Sequence, residues 1–274
     1  MASAGAEKSR PRVDPLTTPK EIMTVLYKPG HRLFQLAFTA EVNETPLTKL
    51  WGLLGKRGIR IISSTLSDTG RTGGKWNVFL DCEDYSITKE ALAHMLENLP
   101  YLGGLRIAGG SDLIVDDLYF PIVSTTGSRT MLISLEVLQR MLAAMGEQFG
   151  SGGTVISYQE GVAMGAIAAA ALQVTMKGDV RRFITEAVKL YSANGIGQAQ
   201  FVTTDFDSPH FVVRISRNIE CEGKHSKKPN SEWIRGHISG SASLVLGFPM
   251  VCTETKCIAM GDPYCEFDLT KSEA

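Results

Sequence analysis

Apolar residues recur along the first third of the chain with two alternating periods. Arg32 to Ala40 reads as a strand, and Leu47, Leu50, Trp51 and Leu54 then fall at helical spacing. Thr45 is placed to cap that helix, Pro46 occupies its first position, and Gly58 closes it. Ile59 to Leu66 is β-branched and reads as a strand. Asp68 to Gly74 is a turn, and Lys75 to Cys82 is the next strand. Thr88 caps a second helix carrying Leu92, Met95, Leu96 and Leu99, and Leu102 to Ala108 supplies a fourth strand. This β-α-β-β-α-β order is the split βαβ pattern of ferredoxin-like domains.

The pattern changes after residue 110. Asp112 to Val123 is acidic, then apolar, and Ser124 to Ser128 is turn-rich, which predicts a linker over 117–129 with a boundary near Gly127. Ser134 is a fair N-cap for a helix with Leu135, Leu138, Met141, Leu142 and Met145. Gly150 to Gly153 breaks it, and Thr154 to Tyr158 is short and β-like. Glu160 to Thr175 is a helix rich in Gly and Ala, which lets another backbone approach closely. Asp179 to Ala193 is a helix with an apolar face of Val180, Phe183, Ile184, Ala187, Val188 and Tyr191. Strands at Gln198 to Thr204 and His210 to Ile219, a helix at Glu232 to Leu246 and a terminal hairpin follow.

Composition narrows the class. The chain has 274 residues, 43% apolar and 21% charged, which is ordinary for a globular protein with one or two cores. A net charge of −1 supplies no global field toward nucleic acid or an anionic membrane, and neither is expected as a partner. The basic run Lys224 to Lys228 reads as a solvated loop. No apolar run is expected to reach the ~20 residues of a membrane span. Residues 1–20 are polar, without the apolar core of a signal peptide, and a disordered tail is expected up to residue 30. The five cysteines, odd in number and clustered toward one end, favour reduced thiols or metal ligands, and a cytoplasmic location.

The chemistry concentrates near the C-terminus. Glu254, Cys257 and Cys265 lie close together, with Gly261-Asp262-Pro263 as a tight turn between the cysteines. A hairpin brings Cys257 and Cys265 face to face, with Glu254 within reach, and these residue types bind zinc. No paired carboxylates, nucleophile elbow, phosphate loop or nicotinamide fingerprint stands out, so no catalytic residue is assigned and an enzyme is not the favoured reading. His237 reads as a structural histidine rather than a base. His210, Phe211 and Trp233 are candidates to line a ligand pocket by stacking and hydrogen bonding.

Two resemblances add to this. Residues 32 to 115, through Pro46-Leu47 and Gly58-Ile59-Arg60-Ile61, resemble an ACT domain, a small-molecule regulatory module. The glycine that amino-acid-binding ACT domains carry at the first turn is replaced by Asn43-Glu44-Thr45 here, which favours a dimer-contact role. Trp233-Ile-Arg-Gly236-His-Ile-Ser-Gly240, Leu246-Gly247-Phe-Pro249, Glu254, Cys257, Gly261-Asp262-Pro263 and Cys265-Glu-Phe267 resemble a 4-vinyl reductase domain over about residues 130 to 270. That family is related to sensor domains that detect phenols, to haem domains that sense nitric oxide, and to TRAPP subunits. The resemblance implies an α+β chain, with a ferredoxin-like (ACT-like) domain at 31–116 followed by a mixed α/β ligand-binding domain at 130–271. In aromatic-sensing members three cysteines and one glutamate hold zinc. Glu254, Cys257 and Cys265 match three of them, while Ser231 stands where the fourth, a cysteine, is expected. Cys252, on the strand face of Glu254, is the substitute expected; Cys221, His225, His237 and water are alternatives.

The implied function is that of a regulatory sensor binding a small apolar or aromatic molecule, with a structural zinc and a homodimeric state. A dimeric scaffold of TRAPP-like fold, and an enzyme or accessory factor in tetrapyrrole vinyl reduction, are the other readings.

Overall fold

The computed structural model describes residues 21–41, 44–68, 73–124 and 127–272. The tail expected over residues 1–20 and most of the turn expected at 68–74 lie outside the described residues. The chain divides into two compact units after Pro121.

The first unit runs β1 (Val25–Tyr27), β2 (Arg32–Ala40), α1 (Glu44–Lys56), β3 (Arg60–Asp68), β4 (Gly74–Cys82), α2 (Lys89–Glu97), β5 (Gly103–Ser111) and β6 (Leu113–Val115). Its main sheet has the order β3-β4-β2-β5, with each neighbouring pair antiparallel. β2 and β3 are therefore parallel with β4 inserted between them, which is the split βαβ topology. Phe34, Leu36, Phe38, Val78 and Leu80 of the sheet pack with Leu50 and Leu54 of α1 and Leu92 and Leu96 of α2. The reverse face carries a smaller cluster of Leu33, Phe79 and Ile114, the last from the two-stranded β1–β6 ribbon. Buried on both faces, β2 is apolar almost throughout rather than alternating. β1 also corrects the expectation of a tail to residue 30: Val25–Tyr27 is paired strand, too short to show a period.

The second unit runs α3 (Leu135–Phe149), α4 (Ser151–Thr175), α5 (Val180–Ala193), β7 (Gln198–Asp205), β8 (His210–Ser216), α6 (Glu232–Leu246), β9 (Met250–Lys256) and β10 (Cys265–Lys271). The sheet is antiparallel in the order β7-β8-β10-β9. Ser134 and Asp179 cap α3 and α5 through their side chains. Thr154 to Tyr158, read as β-like, lies inside α4. Gly150, at φ 54°, is the break between the two helices. With that stretch included, α4 has 25 residues and is long and apolar enough to cross a membrane by length and composition, contrary to the expectation that no segment reaches that size.

One face of α4 is taken up by α6. A Cβ at Gly161 or Gly165 would overlap the carbonyl oxygen of Trp233 or His237 on α6. A Cβ at Gly236 or Gly240 would overlap that of Tyr158 or Val162 on α4. Glycines on both helices thus bring the two backbones into contact, closer than any side chain permits. The core beneath contains Phe183, Ile184, Phe211, Val213, Ile215, Ile238, Phe267 and Leu269.

Candidate metal centre and apolar cavity

At the N-terminal end of α6, one ligand atom each from Cys221, Glu254, Cys257 and Cys265 lies within 4.8 Å of the other three, and all four residues are buried. Local chemistry builds each position. Alternation along β9 turns Met250, Cys252 and Glu254 inward. Cys257 begins the turn, where its N–H donates to Asp262 Oδ2 at 2.8 Å, and Gly261 takes a left-handed φ of 102°. Cys265 opens β10 and accepts from the Ile258 N–H at 3.4 Å. After β8, Asn218 bends the chain by accepting from the Glu220 N–H at Oδ1 (3.0 Å) and the Cys221 N–H at its carbonyl (3.0 Å). That bend leaves Cys221 Sγ 3.5 Å from Cys257 Sγ.

Ser231 sits against this group without belonging to it. Its N–H donates to Glu254 Oε2 at 3.0 Å and its hydroxyl to Oε1 at 2.7 Å, while Asn218 Nδ2 donates to the same hydroxyl at 2.9 Å. Ser231 makes no side-chain cap for α6. The buried Glu220 carboxylate caps it instead, accepting from the Trp233 and Ile234 N–H groups at 3.1 and 2.6 Å. The hydrogen bond between Cys221 and Cys265 raises the Cys221 thiol and draws Cys265 down toward thiolate. Burial pushes Cys257 up to about 11. Three thiols and a carboxylate at this spacing suit a tetrahedral zinc, whose ligand sulfurs at ~2.3 Å from the ion stand roughly 3.8 Å apart.

Cys252 is corrected as a site residue. It is buried in the apolar core beside β10, outside the group, and Cys221 stands where the fourth ligand was sought.

The second feature is a cavity of ≈ 100 Å³ between α4, α5, α6 and the sheet. Apolar lining such as Leu172, Phe183, Phe201 and Phe211 is interrupted by Tyr191 and His237, whose hydroxyl and Nδ1 stand 2.8 Å apart. Burial raises the Tyr191 phenol and lowers the His237 imidazole to about 4, so both are neutral near pH 7. Of the residues expected to line a pocket, Phe211 does so. Trp233 is buried one turn from His237, with ring centroids 5.8 Å apart. His210 is corrected: it points to the other face of β8, is 41% exposed, and bonds Asp268 at 3.0 Å. Tyr191 was legible only as part of an apolar helix face. Its pairing with His237 depends on residues 46 positions apart, which no local pattern shows.

Residues 211–271 match the family model of the 4-vinyl reductase domain. No curated protein matches the chain. Similar solved structures include the phenol-responsive sensory domain of the transcription activator PoxR with phenol, at 17% identity over 53% of this chain and 77% of that one, with a TM-score of 0.49. A vinyl-4-reductase family protein from Methanocaldococcus jannaschii is 14% identical over 53% of this chain and 85% of that one, with a TM-score of 0.41. A trafficking protein particle complex subunit 3 from Naegleria fowleri, covalently bound to palmitic acid, is 18% identical over 51% and 95%, with a TM-score of 0.41. Over residues 211–271, on the strands and helix that hold both the metal group and the cavity, this chain carries a 4-vinyl reductase domain.

Proposed function

We propose that the second unit is a small-molecule sensor, taking an apolar or aromatic ligand into the cavity between α4, α5, α6 and the sheet, with a structural zinc held by Cys221, Glu254, Cys257 and Cys265. The observation that carries it is the cavity itself, a gap lined by apolar side chains with a neutral polar pair, in a unit otherwise close-packed down to backbone contact. Zinc clamps the β9–β10 turn and the β8–α6 loop around the first turn of α6, and two turns further along α6 His237 and Ser241 reach the cavity. Binding then acts by favouring one packing of α5 on α6, which is read by a partner. The first unit, with its ACT-like pattern, serves regulation or dimer contact.

A homodimer is part of this reading, and the scaffold alternative rests on the same surface. α3 has no fully buried residue, and Val137, Met141, Val155, Ile167 and Val174 of α3 and α4 are exposed. Native mass spectrometry of the full chain, purified without chelator, tests both. About one zinc per chain together with a retained or titratable small molecule is expected. A dimer that takes up neither would discard the sensor and leave the scaffold.

A further inference from the structure

The cavity bounds its own ligand. Among its lining residues there is no Lys, Arg, Asp or Glu, so a charged group entering it would lose its hydration without gaining a counter-charge. Its ≈ 100 Å³ is of the order of the ~150 Å³ engineered cavity that holds one benzene. Tyr191, 8% exposed, and His237 meet in this apolar wall with rings nearly perpendicular and centroids 5.5 Å apart. Their 2.8 Å contact uses one proton, and either tautomer leaves the pair one further donor and one further acceptor. If the phenol donates to Nδ1, then Nε2–H donates onward and the phenol oxygen still accepts. If Nδ1–H donates to the phenol oxygen, the phenol hydroxyl donates onward and Nε2 accepts. A group that both donates and accepts satisfies the pair in either state, and a hydroxyl is the smallest such group.

We propose that Tyr191 and His237 are the polar anchor of this cavity, and that its ligand is a neutral molecule of about one ring carrying a hydroxyl. The inference rests on the sensor reading and adds to it the ligand's charge, its size and the residues that orient it.

Fluorine NMR titration of the full chain near neutral pH with 4-fluorophenol, fluorobenzene and 4-fluorobenzoate tests it. The three share a ring and differ in the group presented to the pair. 4-Fluorophenol is expected to bind about ten-fold more tightly than fluorobenzene, the worth of one buried hydrogen bond, and 4-fluorobenzoate not to bind. In Tyr191→Phe the phenol's advantage is expected to fall to about one-fold while fluorobenzene affinity is kept, which also shows that the variant folds. Equal binding of 4-fluorobenzoate, or an advantage that survives both Tyr191→Phe and His237→Asn, overturns the anchor. Fluorobenzene binding as tightly as the phenol to the parent chain rejects the anchor but leaves the sensor standing. Binding of none of the three removes both.

Discussion

At the scale of single residues, a hydroxyl at position 231 has the reach of the missing thiol but not its chemistry. A neutral serine is a poor zinc ligand, and Ser231 spends its donors on the two oxygens of Glu254. Cys221 comes in from the preceding loop, 3.1 Å from the Ser231 hydroxyl, and restores three thiols and a carboxylate. Cys221→Ala is therefore expected to lower zinc from about one per chain to a small fraction, by elemental analysis of chelator-free protein. Cys252→Ala, in the core, keeps the metal, as does Ser231→Ala. Retention of full zinc by Cys221→Ala would remove Cys221 from the site. The spacing of Glu254, Cys257 and Cys265 was legible because one hairpin holds all three. The fourth donor was not, because its place depends on the bend at Asn218, a side-chain event with no sequence period. His210 was misplaced for a related reason: strand alternation gives two faces and does not say which one meets the core.

At the scale of elements, α4 and α6 are held by what they lack. Each glycine in the pair faces a backbone carbonyl, so a methyl group has nowhere to go unless a helix moves. Gly240→Ala and Gly165→Ala are each expected to destabilise the second unit by about 2 kcal/mol or more, as overpacking against rigid backbone does. Gly152→Ala is the control. Its nearest neighbour would be the Phe149 Cβ at 3.9 Å, and helix propensity makes it neutral or stabilising by up to ~1 kcal/mol. Thermal unfolding followed by circular dichroism compares the three, and equal midpoints would reject the close-contact account. The small residues of α4 were readable as an invitation to close approach. Its first turns were not readable as helix, since Thr154, Val155 and Ile156 favour strand locally and packing against α6 overrides that preference.

At the scale of the whole chain, two cores imply two acid transitions. The βαββαβ order was legible because helical and strand periods alternate cleanly there; the β1–β6 ribbon was not, with three residues per strand. In the first unit, burial alone would raise Asp81, but hydrogen bonds from Lys28, Arg60 and His31 overcome it and hold the carboxyl below its usual 3.8. Its side chain is 3% exposed. A depressed acid stabilises the fold above its unfolded value and loses that contribution as pH falls through its folded one, so this unit is weakened only below about 3.8. In the second unit burial lowers His237 from 6.5 to about 4, so the unfolded chain takes up this proton first. That stability is complete above 6.5 and drains away as pH falls toward 4, on the order of 3 kcal/mol in total. Acid titration followed by residue-resolved hydrogen exchange is expected to open α5 and α6 between pH 6.5 and 4, before the β2–β4 pairing. His237→Asn should flatten the dependence of the second unit over that range and leave the first unit's transition where it was. If the variant keeps the slope of the parent chain, another group carries the proton and the His237 assignment is wrong.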